Sequence, residues 1–597
     1  MRRTGLWKSL ALPLVLALTL PVAAAPPADK SALAQVPASS LLVVHLHGVE
    51  GSAGRFLVYL KNALPDVAPI VDGAITQFLK EGGDGRKLRG LAKEGPIFFA
   101  MSEIPKGDNP IGVGIIAVTD YKAFRDGLLK DEERKNLRVD PKGYEESTLD
   151  GKPIFFVDRQ GYAIVTNDKK TALAYTKKQV GLDTKISKDQ SAQLLSSDLG
   201  WYVNMDVVNK EYADKLKTAK EDIEEAIKNL EGALGKSERG AFEALRRGIG
   251  PVFQAIEDSK GALLTLEFRP TALVLHVESE SRPNTTTAKL LKPFKPVAMA
   301  EVDRLPAGQA FYTGIATNAE LLKVFGPLAI GATAEPGSKS AAAMEAALEQ
   351  LAKAGPGTRI DVTGLPLLGL ETWQFSEPAK ALAAQMMVLD SLAKGDTFAN
   401  GMLKKKTALK KGAAKYKNVE FSSLTLVWDL EKMAAASGME LPDEIKKKMT
   451  EGMKRILGEE TTIWIGADDK QLFTITAPDW KSAEALLDRH ARGDDAIGKQ
   501  KGYQEARKEM PAEATIVGMV DMVAYGAAIA EIVKPMFVGL GLNLPEKYPA
   551  KLPKGDPSFL GVGVTLNEKR IAFDLVITSS AVRDVYKAFI QPLRAAF

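Results

Sequence analysis

Three segments of this chain open in the same way, and that repetition limits what it can fold into. Val36-Pro37-Ala38 precedes the apolar run Leu41–His47, Leu305-Pro306-Ala307 precedes Ala310–Ile315, and Met510-Pro511-Ala512 precedes Thr515–Val520. Proline has no N–H to give a β-ladder, so it suits the lead-in or first residue of a strand. Each Pro-Ala step therefore marks the start of a structural unit that begins on a strand.

A second pattern supplies the helices. β-rich runs end in Thr, Ser, Asp or Asn, and a helix-like stretch follows. Ile115–Thr119 leads into Asp120-Tyr121, Ala163–Thr166 into Asn167-Asp168, Leu472–Thr476 into Asp479-Trp480, and Ile571–Thr578 into Ser579-Ser580. Short polar side chains at these corners satisfy the free N–H groups that open a helix. Pro153–Val157 and Tyr162–Thr166 flank a polar turn, as do Thr461–Ile465 and Leu472–Thr476, so both pairs read as hairpins. Hairpins beside helices favour antiparallel or mixed sheets.

Tyr212, Leu216, Ala219, Ile223, Ile227, Leu230 and Leu234 recur at steps of three and four, and Phe242, Leu245, Ile249, Phe253 and Ile256 resume the stripe after Gly235–Gly240. This predicts an inserted helical hairpin at about 207–258, with Pro251 ending or kinking its second arm. A shorter helix carries Met344, Leu348 and Leu351 and stops at Gly355-Pro356. The stretch Arg282–Lys295, with Pro283, Pro293 and Thr285–Thr287, is the best boundary. The expected fold is α+β in two related halves, residues 25–300 and 301–597, each with an antiparallel or mixed sheet covered by helices. The second half has room to subdivide.

The Pro-Ala strand starts and the segment Gly151–Tyr175 resemble an uncharacterised family of exported bacterial proteins that repeats a Leu-Pro-Ala-Asp opening. Here Ser39, Gly308 or Glu513 stands at the Asp position. The resemblance implies a secreted or periplasmic α+β protein with no assigned activity and no functional residues to carry over.

The amino terminus agrees with export. Arg2, Arg3 and Lys8 precede an apolar run from Leu10 to Leu20, then Pro21 and Val22-Ala23-Ala24-Ala25. Basic, apolar, then small is the order of a secretory signal peptide, here residues 1–24, cut after Ala24. The Arg2-Arg3 pair admits a twin-arginine signal as the alternative, although its surroundings fit that pattern poorly. Removing residues 1–24 leaves 79 less 3, or 76, basic residues against 75 acidic, a net charge of +1. That balance gives no argument for nucleic acid as a partner. No later run of about 20 apolar residues suggests a transmembrane span. The chain has no cysteine, which excludes disulfides, thiolate metal sites and a cysteine nucleophile.

Each chemical motif has a plain reading beside the functional one. His45 and His47 alternate onto one strand face and could start a zinc site, but no third ligand accompanies them. His276 has Glu278 two residues on, and His490 has Asp494 four residues on; backbone, carboxylate or water bonds account for all four histidines. Gly235-Lys236-Ser237 echoes a phosphate loop, yet Leu230 occupies the required glycine position and a helix precedes it. Ser391-Leu392-Ala393-Lys394 matches Ser-x-x-Lys without its companion motifs. Gly51-Ser52-Ala53-Gly54 has Glu50 where a nucleophile elbow needs glycine. Lys404–Lys406, Lys410-Lys411, Lys415 and Lys417, with Lys446–Lys448, form charge runs that read as solvated helix faces or as a patch for anionic lipid or polymer. Phe597 resembles the last residue of an outer-membrane barrel, but the helical content argues against one.

No catalytic, cofactor or metal residue is assigned. The expectation is an exported, non-enzymatic envelope or extracellular protein that binds or scaffolds an envelope protein, polymer or ligand. Two rivals stand beside it. A carboxylate-based hydrolase of envelope polymers needs two facing Asp/Glu about 5 to 9.5 Å apart, and a carrier of an apolar or lipid ligand needs a large apolar pocket.

Overall fold

The computed structural model describes residues 32–81, 86–87, 89–104, 111–233, 239–334, 337–394, 402–405, 409–435, 442–539, 544, 548–549 and 556–594. The signal segment, Gly235-Lys236-Ser237, Lys406 and Phe597 lie outside these residues. The fold is α+β, and the strand pairings described below are antiparallel. The chain divides into two compact units. One runs to Leu216 and resumes over Ser259–Glu280; the other comprises Lys217–Asp258 and everything from Ser281 on.

The first unit holds β1 (Leu42–Leu46), β2 (Ile97–Met101), β3 (Val113–Ala117), β4 (Arg138–Asp140), β5 (Tyr144–Leu149), β6 (Lys152–Asp158), β7 (Tyr162–Thr166), β8 (Leu199–Asn204), β9 (Ser259–Phe268) and β10 (Ala272–Ser281). Their spatial order is β4-β5-β6-β7-β3-β2-β1-β8-β9-β10. Both faces of this sheet are buried, which explains why β3 and β7 read as near-continuous apolar runs rather than alternating ones. Val43, Phe98, Ile115, Ile164, Tyr202 and Leu263 pack on one face with Leu33, Val36, Leu182 and Leu194. Leu46, Ile116, Phe156 and Ala163 pack on the other with Phe124 and Leu128.

The second unit holds β11 (Phe311–Ala316), β12 (Pro356–Gly364), β13 (Leu368–Phe375), β14 (Leu403–Lys405), β15 (Lys410–Tyr416), β16 (Val419–Trp428), β17 (Glu460–Ala467), β18 (Gln471–Ala477), β19 (Ile516–Asp521), β20 (Phe559–Asn567) and β21 (Arg570–Thr578). Their order is β15-β16-β17-β18-β13-β12-β11-β19-β20-β21, with β14 also on β16. Trp373, Phe375, Leu424, Ile465 and Leu472 meet Leu351, Ala381 and Leu389 from helices Lys339–Lys353 and Pro378–Lys394. Tyr312, Tyr503 and Phe559 form an aromatic cluster with ring centroids 5.8 to 6.3 Å apart.

Two of the three Pro-Ala steps act as latches, while the carbonyls of Pro511 and Ala512 instead accept from Arg507. Ala38 N donates to Val180 O at 2.9 Å and Leu182 N to Val36 O at 2.8 Å; Ala307 N donates to Asp495 O at 2.9 Å and Ile497 N to Leu305 O at 2.8 Å. In both places proline sits in an isolated antiparallel bridge, Pro37 with Gly181 and Pro306 with Ala496. The aliphatic residues around each latch, Val36, Leu182, Leu305 and Ile497, are fully buried. Burying each is worth about 1.5–3 kcal/mol.

Helix starts follow the corner residues. Asp120, Asp168 and Asp479 accept from the N–H three residues on, at 2.9, 2.7 and 2.8 Å. At the fourth corner the cap is Thr578, whose Oγ1 accepts from Ala581 N, so Ser579 and Ser580 are already helical. Helix Arg239–Asp258 runs through Pro251 without ending there, because Ile249 and Phe253 on either side are held against Ile227.

Candidate functional site

The histidines singled out by their spacing do not converge on a metal. His45 and His47 are neighbours, with ring centroids 6.2 Å apart and nearly perpendicular. His45 is fully buried against Phe98, and burial, then the proximity of His47, lowers its pKa to about 3. His47 Nδ1 lies 2.9 Å from Leu195 O, and its Nε2 is 4.0 Å from Glu94 Oε2. His276 does meet Glu278, Nε2 to Oε2 at 3.6 Å. Asp494 pairs with Arg492 at 3.6 Å rather than with His490. Among the described residues no group of three or more His, Asp or Glu is arranged to hold a metal ion.

Ser52 lies inside helix Val49–Ala63, its Oγ directed at the carbonyls of His47 and Asp198, so no nucleophile elbow forms. Ser391 lies within helix Pro378–Lys394. The lysine run falls on strands instead of a helix: Lys404 and Lys405 on β14, Lys410, Lys411 and Lys415 on β15. Among the described residues of the second unit, β15 has β16 as its only partner, and lysines there discourage further strand addition. Lys446–Lys448 do lie on a helix, Asp443–Leu457.

The residues that stand out chemically are on β11, β12, β13 and β18. Thr313 pairs with Asp361, Asp361 with Glu371, and Glu371 with Thr474, so directly opposed side chains share one sheet face. Arg359, two residues before Asp361, puts Nη2 3.1 Å from Glu371 Oε2 and its guanidinium 5.8 Å from the centre of the Trp373 ring. Its Nε has no partner. Burial is the main cause that pushes Asp361 up to about 6; Arg359 opposes the shift and Glu371 adds to it. Side-chain exposures of 35% for Arg359 and 22% for Glu371 leave the cluster partly open to solvent.

The intervening residues of the same strands face the other way and line a recess of about 140 Å³. Ile360 and Thr372 form its buried floor, Thr358 and Gln471 its walls, and Gln374 an exposed rim. Glu301, just before the short turn Val302–Arg304, Arg304 at its end, and His490, from helix Trp480–Arg492, complete it. Burial, and then Arg304, lowers the His490 pKa, and its Nδ1 has no hydrogen-bond partner.

Larger hollows are shallower in chemistry. One of about 700 Å³ in the first unit is lined by Glu103, Lys185, Asp206 and Lys210, and one of about 650 Å³ by Leu322, Pro327, Leu348 and Ala352 of two helices. No helix among the described residues is long and apolar enough to cross a membrane.

Sequence reasoning passed over Arg359, Asp361, Glu371, Gln374 and Gln471. The available signal was Arg359-Ile360-Asp361-Val362, where charge alternates with apolar residues inside a strand. No family model, curated protein or solved structure matches the chain.

Proposed function

We propose that the chain is an exported, non-enzymatic binding protein made of two related halves, the first a frame and the second carrying the ligand site. The leader read in residues 1–24 supports delivery to the periplasm or beyond. The strand orders support the relation between halves. Replacing β1, β2, β3 and β7 by β11, β12, β13 and β18, and β8, β9 and β10 by β19, β20 and β21, converts one order into the other. The Pro37 and Pro306 latches support aligning the halves residue by residue.

One comparison carries the binding reading. On that alignment the addresses of Arg359, Asp361 and Glu371 hold Ile97, Phe99 and Gly114 in the first half. Those of Thr372, Gln374 and Gln471 hold Ile115, Ala117 and Tyr162, all in the first unit's core. A fold that is stable with apolar groups at these addresses gains nothing from burying charge there. Polar groups on both faces of β12–β13 are therefore attributed to a ligand. Native mass spectrometry of the protein purified from an envelope fraction tests this. A bound adduct is expected, and is lost from the triple variant Thr372→Ile, Gln374→Ala, Gln471→Tyr. An adduct-free wild type would remove the reading.

A second reading has one observation in its favour. Asp361 and Glu371 are opposed carboxylates, one pushed up to about 6 and the other paired with Arg359, the asymmetry a general acid and its partner need. Turnover of peptidoglycan or another envelope polymer by the wild type, abolished in both Asp361→Asn and Glu371→Gln, would favour hydrolysis over binding.

A further inference from the structure

We infer that the recess beneath His490 binds a small zwitterion of the amino-acid class, gripping its carboxylate with Arg304 and its ammonium with Glu301. This rests on the reading of the second unit as the binding half. The two charged groups line one recess three residues apart in sequence, yet among the described residues no ion pair joins them and neither has a carboxylate, lysine or arginine partner; Arg304 acts only on His490. Glu301 is half-buried and Arg304 is exposed at the mouth, so opposite charges stand at the recess without neutralising each other, and a ligand that carries both suits them.

The rest of the lining is neutral and able to donate or accept. Thr372 supplies a hydroxyl at the floor, and Gln374 and Gln471 supply carboxamides at the sides. His490 contributes a free Nδ1. Burial, and then Arg304, disfavour a charge on that ring, which argues against a site built for a simple anion. The volume also fits: about 140 Å³ is several times the roughly 30 Å³ share of one water in the liquid, enough for a small amino acid and too little for an oligomer. In the first half Ala117 and Tyr162 hold the corresponding strand positions, and they belong to its packed core.

Isothermal titration of the full mature chain tests the assignment. The probes are glycine, L-alanine, L-serine and L-glutamine, with inorganic phosphate, ethanolamine and glycerol as the anion, cation and neutral controls. At least one amino acid should bind saturably while the three controls do not. Arg304→Gln and Glu301→Gln should each weaken that binding tenfold or more, with thermal melts unchanged without ligand. Preferential binding of phosphate, or loss in Arg304→Gln with full affinity in Glu301→Gln, would make this an anion site and overturn the proposal. Glycerol or ethanolamine binding as tightly as the amino acids would overturn it too. Silence from every probe, with an adduct still seen by native mass spectrometry, overturns the zwitterion alone; silence in both experiments removes the binding half as well.

Discussion

Asp361 faces Glu371 directly across the β12–β13 ladder, and Arg359 is 3.1 Å from Glu371 Oε2 while Asp361 is left to titrate near 6. The folded state therefore holds a proton on Asp361 between about pH 4 and 6 that the unfolded chain has released. Stability contributed by this group falls as pH rises through that window. Asp361→Asn removes the cost. The variant should be more stable than wild type by roughly 1–2 kcal/mol at pH 7.5, allowing for the solvent that reaches the cluster, and equal to it near pH 4. Urea unfolding across this range reads the difference, and a gap independent of pH would contradict the assignment.

His45 bends the same curve the other way. Its ring is fully buried, and burial, then the nearby His47, outweigh a backbone hydrogen bond with Leu194 and lower its pKa to about 3. Below pH 6.5 the unfolded chain gains a proton that the folded chain refuses, so stability is full above 6.5 and is lost as pH falls. The loss approaches 1.4 kcal/mol per pH unit once the unfolded imidazole is fully protonated. His45→Leu should flatten the melting temperature between pH 7.5 and 5. A slope identical to wild type would show that another group is responsible.

Glu133 contributes the acid limb. Its carboxylate accepts from Arg86 Nη1 at 2.7 Å and Nη2 at 3.1 Å, and from the N–H groups of Lys130 and Asp150 at 2.8 Å. Its pKa falls to about 2: burial opposes ionisation, but the Arg86 hydrogen bonds and the two backbone N–H groups outweigh it. That stabilisation is present above pH 4.5 and is lost as pH drops towards 2. Glu133→Gln leaves the largely buried Arg86 with the exposed Asp150 as its remaining ion pair and the Leu128 carbonyl as an acceptor, and should cost about 3 kcal/mol at pH 7. Chemical denaturation at pH 7 and at pH 3 should show that cost shrinking with acid.

What was legible in the sequence was local. Asp120, Asp168 and Asp479 announce helices because a cap is settled within three residues, and the hairpin at Asp158–Gly161 because a turn is settled within four. Thr578 rather than the serine after it caps the fourth helix, because both residue types can cap and the sequence alone does not separate adjacent candidates. The lysine run reads as a solvated helix face or an anion-binding patch, because charge spacing alone does not separate either from an edge strand. The candidate site was illegible for a different reason. Asp361 and Glu371 meet only through strand register, and Gln471 joins Gln374 through a pairing with a strand far along the chain. Likewise, Pro37 and Pro306 advertise strand starts, but nothing local says that Leu182 and Ile497 will donate to the residues before them.

Two helical glycines offer a test of the backbone itself. Gly54 lies on helix Val49–Ala63 with open space where a Cβ would go, so Gly54→Ala restricts the unfolded chain and improves helix propensity at no steric cost. It should stabilise the protein by about 0.5–1 kcal/mol. Gly502 lies on helix Lys501–Glu509, where an added Cβ would overlap the Pro557 carbonyl oxygen, a backbone atom with no rotamer to escape into. Ser558 follows at the head of β20, and Tyr503 is packed against Phe559 at 6.1 Å, so the helix cannot back away without opening the aromatic cluster. Gly502→Ala should therefore cost about 2–3 kcal/mol despite the same gain in propensity. Paired thermal melts separate the two effects. If both variants shift the same way, either the close approach at Pro557 is absent or the helix yields more easily than the packing of Tyr312, Tyr503 and Phe559 allows.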